Sequence, residues 1–276
     1  MMKINGFIKA SLFLGGMLFT LNTIAQELYV FTEPASNMPS KSVSIKLAAK
    51  LGEHEAPYKF MQRYTPELMF GLNKNWMVHF APTFSNMFTS NQRWESVRTY
   101  AKYRFYSNDE VHRHFRMAAF GKASYSRNLA LFDEINIEGD QSGIEGGVIL
   151  TQLWNRLALS STLGYAHSMP SKKAGISLFL PDDAFDFSLS AGYLVFPLNY
   201  TSYNQTNLNV YAELIGQRSL DMKKYVIDFA PAIQLIFNSN LKINFGYRFE
   251  LKNSYMYRMM PKTYLVSIER TFLKVW

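Results

Sequence analysis

Hydrophobic and polar residues alternate along residues 225–251, in two runs separated by Asn238-Ser239-Asn240. In the second run every other residue is large and apolar: Leu241, Ile243, Phe245, Tyr247, Phe249 and Leu251. The residues between them are polar, charged or small: Lys242, Asn244, Gly246, Arg248 and Glu250. Successive side chains of a β-strand point to opposite faces, whereas a helix repeats every 3.6 residues. The pattern therefore predicts a β-hairpin with one apolar wall and one polar wall.

The same alternation recurs from Ser42 onward and predicts about twelve strands, although ten or fourteen would also fit it. Each predicted strand has about the 9–11 residues that a tilted strand needs to cross a bilayer. Four predicted turns are short: Asn73–Asn75, Ser107–Glu110, Asn155-Arg156 and Asn238–Asn240. Four predicted loops are longer: Ser126–Ser142, His167–Asp183, Arg218–Lys223 and Lys252–Lys262. This alternation of lengths predicts an all-β fold, a transmembrane antiparallel up-and-down β-barrel.

The first residues follow the pattern of a secretory signal peptide, with Lys3 and Lys9 near the start and an apolar run at Ala10–Leu21. That run is shorter than the roughly 20 residues of a transmembrane helix. We place cleavage after Ala25, which gives a signal peptide at 1–25, a periplasmic N-terminal segment at 26–41 and an outer-membrane β-barrel at 42–276. The segment 26–41 has two interpretations: a free tail, which the general mobility of termini favours, or a plug in the pore mouth.

The last predicted strand is aromatic and ends near Trp276, although Arg270 and Lys274 interrupt its apolar face. The chain also has 17 Tyr and 4 Trp, residue types that are enriched at membrane–water interfaces. These features predict a Sec-exported protein of the bacterial outer membrane. The expected partners are outer-membrane lipid, lipopolysaccharide and the barrel-insertion machinery, which would recognise the C-terminal strand ending at Trp276.

Composition excludes several classes of site and partner. The chain has no cysteine, so disulfides, thiolate chemistry and a lipid anchor on cysteine are excluded. Its formal net charge is +8, but the cations alternate along the predicted strands and form no exposed run. We therefore expect no nucleic-acid partner, and nothing in the sequence indicates a cofactor.

The polar wall of the predicted barrel separates charges of opposite sign. The predicted inward-facing cations lie on the first five strands: Lys46, Lys50, Arg63, Arg98, Lys102, Arg104, Arg116 and Lys122. The main inward-facing carboxylates come from later strands: Glu145, Asp186, Glu213 and Asp228. Opposed charged walls focus an electric field, so we interpret them as the lining of a narrow channel for small polar or anionic solutes. Alternatively, the same charges pair across the lumen and seal it, giving a non-conducting barrel that is a structural or assembly component of an envelope complex.

An outer-membrane lipid hydrolase is the third and weakest alternative. His167 and Ser168 are adjacent, and neighbouring residues of a strand face opposite sides, so they form no dyad by themselves. Four loop carboxylates are candidates to hold divalent cations near lipopolysaccharide: Asp133, Glu134, Asp182 and Asp183. Because such residues are more often simply solvated, we interpret them as carboxylates of solvated loops. The prediction is therefore a protein without an enzymatic role, and it includes no catalytic, cofactor or metal site.

Five stretches together resemble a group of uncharacterised Bacteroidota outer-membrane β-barrel proteins: Glu33-Pro-Ala-Ser-Asn-Met-Pro39, Phe84-Ser-Asn-Met87, Arg93-Trp-Glu-Ser96, Ala230-Pro-Ala-Ile-Gln-Leu-Ile-Phe-Asn-Ser-Asn240 and Gly246-Tyr-Arg-Phe249. The resemblance covers nearly all of the mature chain and implies the barrel fold and the outer-membrane location. It supplies no catalytic or ligand-binding residues. The expected strand number is also similar to that of twelve-stranded outer-membrane channels, a likeness of architecture only.

Overall fold

The computed structural model describes residues 29–55, 58–169, 180–199, 202 and 204–276, with the side chains of 53–59 left out. The signal peptide expected at 1–25 lies outside the described residues. No helix in these ranges is long and apolar enough to cross a membrane.

Twelve antiparallel strands form the fold: β1 (Ser42–Glu55), β2 (Tyr58–Gly71), β3 (Trp76–Ser85), β4 (Arg93–Glu110), β5 (Arg113–Ser126), β6 (Gly143–Trp154), β7 (Leu157–Ser168), β8 (Asp183–Phe196), β9 (Asn207–Ser219), β10 (Tyr225–Phe237), β11 (Leu241–Asn253) and β12 (Lys262–Phe272). Each strand pairs with its neighbours in sequence, and β1 also pairs with β12, which closes the barrel. The predicted all-β barrel of about twelve strands is confirmed.

The alternating pattern determines which side chains face outward. On β12, Tyr264 and Ile268 are 55% and 48% exposed on the outer surface, whereas Ser267 and Glu269 are each 2% exposed and face the lumen. The apolar wall therefore faces outward, and the small and polar residues fill the interior.

The connections at the two ends differ from the predicted ones in three places. The turn expected at Ser107–Glu110 belongs to β4, and the chain reverses at residues 111–112, where His112 has the positive φ that tight hairpins require. A bulge between Arg104 and Tyr106 adds a residue to β4, which shifts its end beyond the predicted turn. The link 197–206 is longer than the other turns at its end of the barrel, and only two positions, 56 and 57, separate β1 from β2 in the sequence. We call the end with turns 72–75, 111–112, 155–156 and 238–240 the short-turn end, and the other the long-loop end.

Two segments outside the strands occupy the lumen. The first comprises residues 29–39 (the N-terminal segment), whose Tyr29 and Ala35 are buried. The second is the β5–β6 connection, residues 127–142 (the inserted loop), whose Ile135 and Ile137 pack on Ala166 of β7 inside the barrel. These two segments determine the shape of the interior.

Candidate functional site

A cavity of about 280 Å³ lies inside the barrel between the two segments. The N-terminal segment forms one boundary through Tyr29 to Glu33, and the inserted loop forms another through Glu134 to Glu138. Cationic and anionic side chains of the strands line the rest of it: Lys46, Lys50, Arg63, Glu67, Arg98, Lys122, Glu145, Asp186, Arg248 and Glu269. We call this space the central cavity.

Glu213 anchors the N-terminal segment. Its carboxylate is fully buried on β9, where Oε1 accepts hydrogen bonds from the amides of Val30 and Phe31, both at 3.0 Å. Oε2 accepts from the amide of Thr32 at 2.9 Å and from its hydroxyl at 2.7 Å. A buried carboxylate is costly unless hydrogen-bonded, and backbone donors satisfy this one. The segment is thus fixed across the lumen.

The second half of the N-terminal segment contacts the basic side of the barrel. The ammonium of Lys102, fully buried, donates to Glu33 Oε2 at 3.1 Å and to the carbonyl of Pro34 at 2.7 Å. Arg116 Nη1 donates to the hydroxyl of Ser36 at 2.9 Å. Residues 29–39 therefore lie inside the barrel rather than as a free tail, because buried partners on the strands compensate the cost of ordering them.

The inserted loop also neutralises the basic side. Glu138 Oε2 lies 2.5 Å from Lys50 Nζ, and its Oε1 accepts from Arg98 Nη1 at 3.0 Å. Asp140 pairs with Arg63. The charge of Lys50, assisted by that of Arg98 and opposed by burial, holds the pKa of Glu138 well below its ordinary value. This side of the loop is therefore held by the ionised carboxylate of Glu138 and by the contact of Asp140 with Arg63.

On the opposite side, the inserted loop meets the β11–β12 connection. Glu134 accepts from Arg258 Nε at 2.8 Å and from Arg248 Nη2 at 3.0 Å. Arg258 also binds both oxygens of Asp228, at 2.9 and 2.7 Å. Burial raises the pKa of Glu134, but the two guanidinium groups outweigh it and lower that pKa to about 2. Arg258 thus joins the loop to the wall.

The interpretation of Asp133 and Glu134 as solvated loop residues is wrong. Asp133 is 4% exposed; its Oδ2 accepts from the amide of Met256 at 2.7 Å and lies 3.5 Å from Lys224 Nζ. These carboxylates fold inward because cations inside the barrel and on the neighbouring connection compensate their burial.

The remaining predicted wall residues lie along the lumen with local partners. Lys46 Nζ is 3.9 Å from Glu67, and Lys122 Nζ is 2.6 Å from Glu145 on the next strand. Two further contacts complete the set: Asp186 accepts from Gln217 Nε2 at 2.8 Å, and Arg104 donates to the carbonyl of Lys74 at 2.6 Å at the short-turn end. The predicted basic and acidic rows therefore do not face each other across open space, because the two inserted segments lie between them.

Sequence reasoning missed some residues of this network. Glu95 is fully buried beside Arg63, with 3.7 Å between Glu95 Oε2 and Arg63 Nη2. A register shift after Thr83 turns both Glu95 and Ser96 inward, which simple alternation does not reveal. Glu33, Glu138 and Arg258 lie outside the strands; the available signal was the pair Ile135 and Ile137, an apolar alternation within an otherwise polar loop.

His167 and Ser168 lie on opposite faces of β7. His167 Nδ1 is 2.7 Å from Asp183 Oδ1, whereas Ser168 is buried and donates to Gln141 Oε1 at 2.7 Å. The serine hydroxyl therefore cannot attack with the help of that histidine. The described ranges also contain no group of three or more His, Asp or Glu residues that could hold a metal ion.

The outer surface is apolar, with aromatic and cationic residues near both ends. Trp76 and Tyr103 pack with ring centroids 4.7 Å apart near the short-turn end. Near the long-loop end, Arg127 lies 5.8 Å from the centroid of Trp94. This arrangement of an apolar band between aromatic rims is found on barrels embedded in lipid.

No family model and no curated protein matches the chain. Among solved structures, an outer-membrane channel from Pseudomonas putida F1 is similar with a TM-score of 0.56 and 11% identity, over 88% of this chain and all of that one. The NanC porin is similar with a TM-score of 0.53 and 12% identity, over 83% of this chain and 98% of that one. At these identities the likeness concerns the fold, and it agrees with the closed barrel described above.

Proposed function

We propose that the chain is an outer-membrane channel for small polar or anionic solutes, closed in this conformation by the N-terminal segment and the inserted loop. The central cavity carries the proposal, because it is a charged space inside the barrel, lined by residues of all twelve strands and of both inserted segments. Its volume of about 280 Å³ is at the lower limit of ligand pockets. The solute would accordingly be small.

The apolar exterior supports the membrane location. Ile45 and Leu47 on β1 are about half exposed, at 51% and 50%, and such residues recur around the barrel. An apolar surface this extensive is unfavourable in water and favourable in lipid. The proposal includes export through the signal peptide at 1–25 and contact with lipid and lipopolysaccharide. It also includes insertion through the C-terminal part of the chain, which comprises β12 and the four residues that follow it up to Trp276. Membership of the Bacteroidota group remains an expectation from the five sequence stretches.

The polar contacts that hold the N-terminal segment and the inserted loop in the lumen allow these segments to be displaced. The inserted segments are held largely by hydrogen bonds and ion pairs, such as those of Glu138 with Lys50 and Arg98. Each hydrogen bond to a charged group contributes about 1.5–3 kcal/mol, so the closed conformation is stable. Water or a polar solute supplies replacement partners for these groups once the segments move out of the lumen. Displacing the loop would also remove carboxylates from the basic side. We therefore expect anion preference to accompany opening.

The test is conductance of the purified mature protein in planar bilayers, comparing wild type with the triple variant Glu134→Gln, Glu138→Gln and Asp140→Asn. Wild type should conduct weakly or in brief events. The variant should conduct more, with a reversal potential shifted toward that of the anion, because the loop loses its attachments and the cations lose their partners. Glu110→Gln is the control, since Glu110 is exposed at the short-turn end.

A variant that is folded and inserted yet remains silent would contradict the channel. It would favour the alternative of a non-conducting structural barrel, which the paired lumen charges also support. The proposal assigns no catalytic role, and the lipid-hydrolase alternative lacks support from the placement of Ser168.

A further inference from the structure

Three cations lie on the outer face of neighbouring strands at the long-loop end. Arg218 on β9 lies opposite Tyr225 on β10, and Lys252 on β11 lies opposite Ile227 on β10. Lys262 on β12 lies opposite Phe249 on β11. All three cationic side chains are exposed. Adjacent strands are about 4.8 Å apart and a strand rises about 3.3 Å per residue. Arg218 and Lys262, three strands and four residue levels apart, are therefore roughly 20 Å apart, and Lys252 lies between them.

An aromatic cluster lies beside these cations on the same outer face. Tyr247 stacks on Tyr264 at 4.8 Å and on Phe249 at 5.4 Å between ring centroids. Phe249 packs edge-on against Phe229 at 5.8 Å. Lys252 Nζ lies 5.6 Å from the ring centroid of Tyr225. Cations next to aromatic rings at the edge of an apolar band match the boundary between acyl chains and headgroups.

The positive charges of these outer residues are available to bind an anionic ligand. Within the described ranges, neither Arg218 nor Lys262 forms an ion pair, in contrast to lumen cations such as Arg63. Two of the nearby carboxylates contact other side chains: Glu250 accepts from Arg258 at 3.0 Å, and Asp183 Oδ1 lies 2.7 Å from His167 Nδ1. A third, Asp221, accepts from the backbone amides of residues 182 and 183 and keeps its own negative charge, so three cations lie beside one such carboxylate. The surface is therefore positive at the level where lipid headgroups would lie.

We propose that Arg218, Lys252 and Lys262 bind the phosphate-bearing headgroup of an anionic lipid, whose acyl chains lie along Phe249 and Tyr264. This inference rests on the proposed membrane location. The ligand is a lipid rather than a free anion, because the cations adjoin an exposed aromatic surface that only an amphipathic molecule covers. Guanidinium and ammonium groups are suitable donors to phosphate oxygens.

The test is a binding titration of the folded full-length mature protein in a neutral detergent, with lipid A, phosphatidylcholine and inorganic phosphate as separate probes. Wild type should bind lipid A more tightly than phosphatidylcholine. The triple variant Arg218→Gln, Lys252→Gln and Lys262→Gln should bind lipid A about a hundredfold more weakly, since each cation near an anionic surface contributes roughly a fivefold factor.

Arg270→Gln is the matched control, because Arg270 is also an exposed outer cation beside an aromatic ring, Phe272, but lies at the short-turn end. It should bind lipid A like wild type.

Three results would each overturn the proposal. They are equal binding of lipid A and phosphatidylcholine, an equal loss of lipid A binding in Arg270→Gln, and competition by inorganic phosphate as strong as that by lipid A. Insertion into bilayers is measured separately: a barrel that inserts but shows no lipid preference contradicts only the headgroup site, whereas failure to insert contradicts the membrane location itself.

Discussion

At the scale of single residues, Glu213 shows why a carboxylate is needed inside the barrel. Its two oxygens accept four hydrogen bonds from Val30, Phe31 and Thr32. An amide of the same shape has one oxygen that accepts and one nitrogen that donates. In a Glu213→Gln variant, the side-chain NH₂ group would face N–H or O–H groups of the N-terminal segment, and two donors cannot form a hydrogen bond with each other.

We expect Glu213→Gln to release the N-terminal segment while leaving the strands intact. Losing charge-assisted hydrogen bonds costs about 2 kcal/mol or more, which corresponds to roughly thirtyfold faster exchange of the amide hydrogens of residues 30–32. Hydrogen exchange followed by mass spectrometry measures this change. Glu110→Gln, at the exposed end of β4, serves as the control. Unchanged protection of these amides in Glu213→Gln would show that the carboxylate does not anchor the segment.

Alternation in the sequence is sufficient to assign most side chains to the correct face, as Tyr264 and Glu269 illustrate. It fails at Glu95, since a local register shift places two consecutive residues inward. Such a shift depends on pairing with β3 and is not visible in the sequence of β4. Alternation also gives the direction of Glu213 but not its partners, which lie about 180 residues earlier in the chain.

At the scale of elements, the strands were predictable and the inserted loop was not. Glu138 binds Arg98 and Lys50, which precede it by 40 and 88 residues. Because a solvated loop and an inserted loop can have the same composition, the sequence does not distinguish them. The difference depends on which cations the closed barrel brings within reach.

Loop insertion should resist moderate acid. Glu134 and Glu138 have pKa values lower in the inserted loop than in a displaced one, so their stabilisation is complete above the ordinary glutamate pKa of about 4.3. It is lost as pH falls through the lowered values, of which that of Glu134 is about 2. We expect conductance in planar bilayers to stay low at pH 7 and 5 and to rise from about pH 4 toward 2.

The triple variant of Glu134, Glu138 and Asp140 should lose most of this pH dependence, because its loop has few ionised carboxylates left to protonate. If wild type already opened at pH 5, or if the variant reproduced its profile, the carboxylates of the loop would not control the opening.

At the scale of the whole molecule, the absence of cysteine allows the lumen to be locked with an engineered disulfide. The hydroxyl oxygens of Thr32 and Ser190 are 2.9 Å apart, one on the N-terminal segment and one on β8. The double variant Thr32→Cys and Ser190→Cys should therefore form a disulfide that ties the segment to the wall. Oxidised protein should show fewer conducting events than the same protein after reduction. Wild type should not respond to the reductant, and equal conductance of the two forms of the variant would indicate that solutes do not pass the N-terminal segment.

The whole architecture followed from periodicity, since a closed barrel is the arrangement that leaves no edge strand unpaired in lipid. Periodicity did not predict that the N-terminal segment and the inserted loop occupy the lumen. This occupancy depends on matching Glu33, Glu138 and Arg258 to partners on distant strands, and these matches exist only once the barrel has closed.

The pairing of β1 with β12 has a consequence for the order of assembly. Ser44 and Glu269, in contact across that pair of strands, are 225 residues apart, and contacts of such separation form late. Until they form, the sheet is open along one side and the N-terminal segment can be laid into it laterally. After they form, the interior is reached only through the two ends. We expect β1 to remain unpaired on one side until β12 has formed. The pairing of β1 with β12 would then enclose an N-terminal segment that already lies in the lumen.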